Sequence, residues 1–226
     1  MHSRKTSEKT FKVFEAGPGR AEIYVPEAGP GRAEIYISMN IVVKPYGSDM
    51  CCCRPDTTWE RENRDFYSPE FVNEIDFTPV VFARISKAGK FIGSKFVERY
   101  YDSFNFGVLL YCRTEESSEI AFSSCADHSS FLPMPLYNIE VLENGENTFE
   151  FCKDDEKVYE VTCGEDLKKS LEEAICKASM LTSLRIGDYV AIELAGPQLL
   201  GSKSAGSTAI KARFCENETI SVNIIF

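Results

Sequence analysis

From Met39 onward, apolar and polar residues alternate with a period of two far more often than with the period of a helix. Such runs predict strands at 41–43, 50–53, 77–85, 105–112, 131–141, 147–151, 156–162, 188–194, 208–214 and 219–225. The stretch IDFTPVVFAR (75–84) carries the pattern most clearly. Phe77, Pro79, Val81 and Ala83 fall on one face, and Asp76, Thr78, Val80, Phe82 and Arg84 on the other. A helix is expected where Leu167, Leu171, Ala174, Ile175 and Ala178 share one face, with Thr162 and Glu165 spaced as a capping box. The Gly187-Asp188 turn ends that region, and a shorter helix is expected over 94–102. The fold class is mainly β with a few helices (α+β).

The first 38 residues read differently. EAGPGRAEIYVP (15–26) is followed at once by EAGPGRAEIYIS (27–38), a tandem repeat of turn-forming Gly-Pro-Gly and a short AEIY piece. Two copies are too few for a solenoid, in which about three stacked units are needed to bury a core. Residues 1–38 are therefore expected to be a polar leader dispensable for folding, and 39–226 a single domain.

Charge narrows the partners. The chain has 226 residues and a formal net charge of −10. Residues 1–38 hold six Lys/Arg and five Asp/Glu, so the remainder keeps 19 basic against 30 acidic residues, a net −11. On that balance neither nucleic acid nor an anionic membrane is expected as a partner, since both call for a basic surface. Nine cysteines, an odd number with no apolar h-region ahead of them, argue for reduced thiols, mostly buried, in a cytoplasmic protein.

Candidate chemistry is sparse. Cys51-Cys52-Cys53 cannot form a zinc site alone, because consecutive side chains on a strand point to opposite faces. GPQLLGSKS (196–204) misses the phosphate-loop spacing, because Ser202 separates Gly201 from Lys203 and no helix is expected after it. SSCADHSS (123–130) gathers Cys125, Asp127, His128 and Ser129, a grouping suited to ligand contact or loop hydrogen bonding more than to a nucleophile and base. The acids fall mostly in turns, loops and helix faces.

Three stretches nevertheless form a recognisable frame: SPEFVNEIDFTPVVFARISKAGKFI (68–92), SKFVERYYDSFNFGVLLYCR (94–113) and LTSLRIGDYVAI (181–192). In order and spacing they resemble the fumarylacetoacetate hydrolase family, most specifically at Ile75-Asp76-Phe77, Tyr100-Tyr101-Asp102 and Gly187-Asp188. The resemblance runs from Met39 to Phe226 and implies a mixed β-roll, generally a homodimer. It also implies Mg²⁺ or Mn²⁺ held by three carboxylates, with hydrolysis, decarboxylation or isomerisation of oxo-acid or diketone substrates. This chain departs from the family at those points. The family's Glu-x-Glu pair falls on Thr78 and Val80, its Asp on Leu109, its lysine at about Ser124, and its pocket-lining Thr-Gly-Thr on Ile192-Glu193-Leu194. The loop that brings a His and a Glu to activate water is missing, although an Asp beyond the lysine position persists as Asp127. No catalytic residue, metal ligand or cofactor is therefore expected. Arg54, Ser124, Asp127, His128 and Glu193 are the candidate cleft or ligand contacts. The expectation is a non-catalytic homodimer acting as a binding or interaction protein, with an unknown small-molecule ligand. The alternative is an enzyme of the family's chemistry.

Overall fold

The computed structural model describes residues 39–114 and 120–226; the tandem repeat lies outside them. The first strands are β1 (Ile41–Lys44), β2 (Cys52–Arg54), β3 (Trp59–Glu60), β4 (Phe66–Tyr67), β5 (Glu74–Ile85) and β6 (Tyr101–Arg113). Helix α1 (Ile120–Ser123), strands β7 (Ser130–Phe131) and β8 (Tyr137–Asn138) and helix α2 (Ile139–Glu143) come next. Strands β9 (Thr148–Lys153) and β10 (Glu156–Thr162) lead into helix α3 (Glu165–Leu181). Strands β11 (Tyr189–Glu193), β12 (Gln198–Ser202), β13 (Thr208–Phe214) and β14 (Asn217–Ile225) complete the chain.

The strands form two sheets. The larger has nine strands in the order β2-β1-β11-β5-β6-β7-β3, with β12 also on β5 and β8 on β6. The smaller runs β10-β9-β13-β14-β4. The β1–β11 pair is parallel while β11–β5 and β5–β6 are antiparallel, so the larger sheet is mixed. Its spine is β5 against β6, two long strands in register from Glu74↔Arg113 to Arg84↔Ser103.

The alternation of β5 divides two cores. Phe77, Val81 and Ala83 join the large core with Phe106, Phe149, Phe151 and Phe214, against the second sheet and the apolar face of α3. Val80 and Phe82 face the opposite way, with Ile41, Val43, Leu109, Tyr111 and Tyr189. Pro79 sits in the middle of this strand without an N–H to donate. It is tolerated because β5 changes partner there, from β12 (at Phe77) to β11 (at Val80).

The larger sheet is rolled. Strands β2 and β6 are four places apart, about 19 Å in a flat sheet at ~4.8 Å per strand. Yet Arg54 of β2 donates to the Leu110 carbonyl of β6 at 2.5 Å and to Ser130 Oγ beside it at 2.7 Å. Only a sheet curled on itself brings those strands within one side chain's reach. Gly107 permits the tightest part of the curl, since a Cβ there would lie 2.3 Å from the Phe131 carbonyl oxygen. Gly107→Ala is therefore expected to cost about 2–3 kcal/mol through forced backbone movement, read by urea denaturation. An unchanged midpoint would contradict the close approach.

Several expected elements take another form. The strand expected over 131–141 is broken into β7 and β8, because Pro133 and Pro135 cannot donate to a ladder, and α2 follows with Asn138 capping Glu140 N–H. The helix expected over 94–102 is a 3-10 turn over Ser94–Arg99, and β6 already begins at Tyr101. The Thr162 capping box does not form. Thr162 ends β10 opposite Thr148, the two hydroxyls lie 3.2 Å apart, and α3 starts after Gly164. Strand β12 lies in the stretch weighed as a phosphate loop, which is extended and paired rather than wrapped at a helix N-terminus. All nine cysteines are free, but only Cys112 and Cys163 are buried; Cys53 and Cys125 are exposed. No helix among the described residues is long and apolar enough to cross a membrane.

One ion-pair hub ties α3 to its neighbours. The buried Lys168 Nζ lies 2.6 Å from Glu143, 2.8 Å from Glu98 and 3.7 Å from Glu172, and Glu172 also accepts from the Tyr101 hydroxyl. Burial acts to lower the Lys168 pKa, but the glutamates outweigh it and hold the ammonium above its usual range. Lys168 in turn holds Glu98 below the usual carboxylate range. A raised lysine stabilises fully below its unfolded value of about 10.4, and the gain is lost as pH rises through the folded value. A depressed carboxylate stabilises above about 4.3, and that gain is lost as pH falls through its folded value. Lys168→Met is thus expected to cost about 2 kcal/mol at neutral pH, less than a sealed pair because Glu98 and Glu143 reach solvent. The deficit should shrink on acidification below about pH 4 as the carboxylates protonate. A deficit that stays constant from about pH 4 down to about pH 2 would count against the hub.

Candidate functional site

The sequence-derived site positions converge. Thr78 faces Leu109 directly across β5 and β6, Val80 lies opposite Gly107, and the next strand brings Glu193 opposite Val80. All three positions named for ligands project from one face of the rolled sheet into its interior. None offers a free oxygen. Thr78, Val80 and Leu109 are fully buried, and the Thr78 hydroxyl donates to the Ala195 carbonyl at 2.7 Å. Around Val80 and Leu109 pack Ile41, Val43, Phe82, Leu132 and Tyr189, with Trp59 edge-on to Tyr189 at 5.3 Å.

The interior is closed by a buried polar relay. Arg54, 2% exposed, places its guanidinium 4.8 Å from the Tyr111 ring centre and donates to the carbonyls of Leu110 and Ser129 and to Ser130 Oγ. The Tyr111 hydroxyl donates to Glu193 Oε1 in a short hydrogen bond. The other Glu193 oxygen accepts the Tyr46 N–H at 2.8 Å. Burial pushes the Tyr111 hydroxyl far above its usual range, Arg54 opposing and Glu193 reinforcing the shift. It therefore stays a proton donor to the carboxylate at physiological pH. Burial lowers the Arg54 pKa, while Tyr111, Cys52 and Glu193 act to raise it. The Cys52 thiol beside it is pushed up to about 11 by burial, which leaves it protonated and a weak nucleophile.

The five candidate contacts do not form one cleft. Arg54 and Glu193 meet through Tyr111 inside the roll, where they close the structure rather than line an opening. Ser124 is buried on the α1 side and donates to the Ala121 carbonyl. Asp127 is exposed. His128 is also exposed, in the left-handed region at φ 58°, with Nδ1 2.9 Å from the buried Glu60 carboxylate. Its backbone N–H donates to the Thr57 carbonyl, pinning this loop to the turn before β3. The loop is a clasp on the roll.

Two features of the site were not expected from the sequence. Tyr111 links the two buried charges, and its place two residues beyond Leu109 on the same strand face was a signal available from periodicity alone. Glu74 and Asp76 also alternate on β5, toward the face of Thr78. Arg113 Nη2 lies 2.9 Å from Glu74 and Arg113 Nε 2.9 Å from Asp76. Among the described residues Asp76 Oδ1 is buried without a hydrogen-bond partner, and burial raises the carboxyl's pKa against the pull of Arg113.

A hard divalent cation needs about six or more oxygen ligands, several of them anionic. Among the described residues no group of three or more His, Cys, Asp or Glu side chains is placed to hold a metal. One engaged hydroxyl and two aliphatic side chains do not fit a carboxylate cage.

No protein-family model and no curated protein matches the sequence. Solved structures do match the architecture. A fumarylacetoacetate hydrolase family protein from Yersinia pestis CO92 superposes with a TM-score of 0.66 at 13% identity, over 83% of this chain and 93% of that one. The chain has the fumarylacetoacetate hydrolase fold. Fumarylpyruvate hydrolase from Pseudomonas aeruginosa, solved in complex with Mn²⁺ and pyruvate, shares that fold with this chain at a TM-score of 0.67 and 16% identity, over 91% of this chain and 100% of the other. So does 2-hydroxyhepta-2,4-diene-1,7-dioate isomerase from Mycobacterium marinum, at 0.67 and 12% identity, over 83% and 75%. At these identities the likeness concerns the fumarylacetoacetate hydrolase fold, and function has to be argued from the site.

Proposed function

We propose that this protein is a non-catalytic bearer of the fumarylacetoacetate hydrolase fold, acting as a homodimeric binding or interaction protein in the cytoplasm. The observation that carries this reading is the sealed interior of the roll. Where three carboxylates would have to converge stand Thr78, Val80 and Leu109, each fully buried and, for Thr78, already hydrogen-bonded. An oxo-acid carbonyl has no Lewis acid to polarise it in such a site, and the interior is occupied by side chains. The charged pair nearest to it, Arg54 and Glu193, is consumed in closing the roll. Nine free cysteines suit a reducing compartment.

The alternative reading is a hydrolase, decarboxylase or isomerase acting on oxo-acids or diketones. It draws support from the names of the solved neighbours, which are hydrolases and isomerases. Titration calorimetry with Mn²⁺ and Mg²⁺ separates the two. The expected result is no stoichiometric binding, and no turnover of oxaloacetate or acylpyruvates with either ion present. Tight one-to-one Mn²⁺ binding, or turnover that a chelator abolishes, would establish the enzyme reading instead.

A further inference from the structure

The acidic chain carries a basic, apolar corner. Residues 84–101 hold five Lys/Arg (Arg84, Lys87, Lys90, Lys95 and Arg99) and a single acid, a local net charge of +4 in a chain of −10. That acid, Glu98, is engaged by Lys168. The segment after β5 is hydrogen-bonded to the end of α3 and the turn beyond it. Phe91 N–H donates to the Ser179 carbonyl, Gly89 pairs with Leu184, and Gly187 N–H donates to the Ile85 carbonyl. These bonds place Lys87, Lys90, Lys95, Arg99 and Arg185 around one corner, all exposed. None of the five makes an ion pair among the described residues.

The same corner exposes its large apolar side chains. Phe91 is 70% exposed, Met180 63%, Ile186 60%, and Leu181 and Phe96 more than half. Phe91 is held outward by a left-handed backbone, φ 53°, a conformation that a bulky residue rarely adopts. The cations lie against the rings: Lys90 is 5.6 Å from the Phe91 ring centre, Arg99 5.3 Å from Phe96 and Lys87 5.1 Å from Tyr100. Apolar side chains at a helix end and the turns beside it, ringed by lysines and arginines without ion pairs among the described residues, combine the two forces that hold a protein to an anionic bilayer. The net charge does not oppose this, because at physiological salt a charge more than about 8 Å from the surface is largely screened.

We propose that this corner docks the protein on a membrane surface rich in anionic phospholipid headgroups. The lysines and arginines meet the phosphates and carboxylates, while Phe91, Met180 and Ile186 enter the headgroup–acyl boundary. The inference is independent of whether the roll is catalytic.

Co-sedimentation of the full chain with vesicles tests it. Binding is expected with phosphatidylcholine containing about 30% phosphatidylserine and not with phosphatidylcholine alone, falling several-fold when salt is raised from about 0.15 M to about 0.5 M. The double variant Lys87→Glu, Lys90→Glu should weaken partitioning at least about tenfold, since each cation near the surface contributes roughly a fivefold factor. Phe91→Asn should weaken it several-fold while keeping the fold, because Asn accepts the left-handed backbone. Thermal melts of both variants verify that they are folded. No binding to the phosphatidylserine vesicles, equal binding to phosphatidylcholine alone, or binding unchanged in both folded variants would overturn the proposal. A dimer that dissociates on Lys90→Glu would also overturn it, by assigning the corner to a second copy of the chain.

Discussion

Arg54→Met is expected to lower the free energy of unfolding by about 3–5 kcal/mol, the range for removing one partner from a buried charged network. Methionine fills much of the volume but donates nothing. The Leu110 and Ser129 carbonyls and Ser130 Oγ would lose their charged donor, and Glu193 would lose the cation that faces it across Tyr111. For a domain of this size the loss corresponds to a drop of roughly 10–15 °C in Tm. Arg54→Lys should fall between, since an ammonium keeps the charge but cannot fork to two strands at once. A midpoint within about 1 kcal/mol of wild type for Arg54→Met would show that the roll does not depend on this closure.

Leu109→Asp should be at least as damaging. Leu109 is fully buried opposite Thr78 and packed with Val80, Phe82 and Tyr111, so a carboxylate there is cut off from water, and the Arg54 guanidinium nearby is already engaged. The expected cost exceeds about 4 kcal/mol, unless the acid stays protonated at a strongly raised pKa. The triple variant Thr78→Glu, Val80→Glu, Leu109→Asp puts three acids on one face, where they repel until a cation joins them. It should therefore be unstable alone and gain stability with Mn²⁺ as RT ln(1 + [L]/Kd), about 2.7 kcal/mol at a hundredfold excess over Kd. Activity is not expected to return, because the family's water-activating loop has no counterpart between Pro45 and Cys53. Urea melts with and without Mn²⁺ read both effects. A triple variant as stable as wild type and indifferent to Mn²⁺ would show that these positions do not converge as they stand here.

The site is partly legible in the sequence. Alternation along β5 is enough to place Thr78 and Val80 on one face, and the resemblance to the fumarylacetoacetate hydrolase family marks Leu109 as the third position. Their meeting depends on the antiparallel register Thr78↔Leu109, a long-range pairing that no local pattern encodes. Arg54 and Glu193 both stand out in the sequence, but as cleft contacts. Burial, the carbonyl acceptors and the Tyr111 ring turn them into structural groups, and each of those partners lies more than fifty residues away in the chain. The elements that differ from expectation share a cause. Periodicity sees apolar residues but not ladder partners, so Pro133 and Pro135 fit a strand pattern and Thr162 fits a helix cap.

The sequence by itself determined the class of the fold, the two faces of β5, the amphipathic helix carrying Leu167 to Ala178 and the absence of carboxylates from the positions that the family resemblance marks. The elements follow from residue identity and short-range periodicity, which act within a few residues along the chain, and the site positions from the family resemblance. Tertiary structure alone decided that Arg54 bridges β2 to β6 and β7, and that the interior is full rather than open. It also decided where the charge goes. A net of −10 described the whole chain, but folding gathers the lysines after β5 beside Arg185 and the exposed end of α3. The reason is physical: screened electrostatics and packing act over distances of ångströms in space, and only the folded chain sets which residues lie that close.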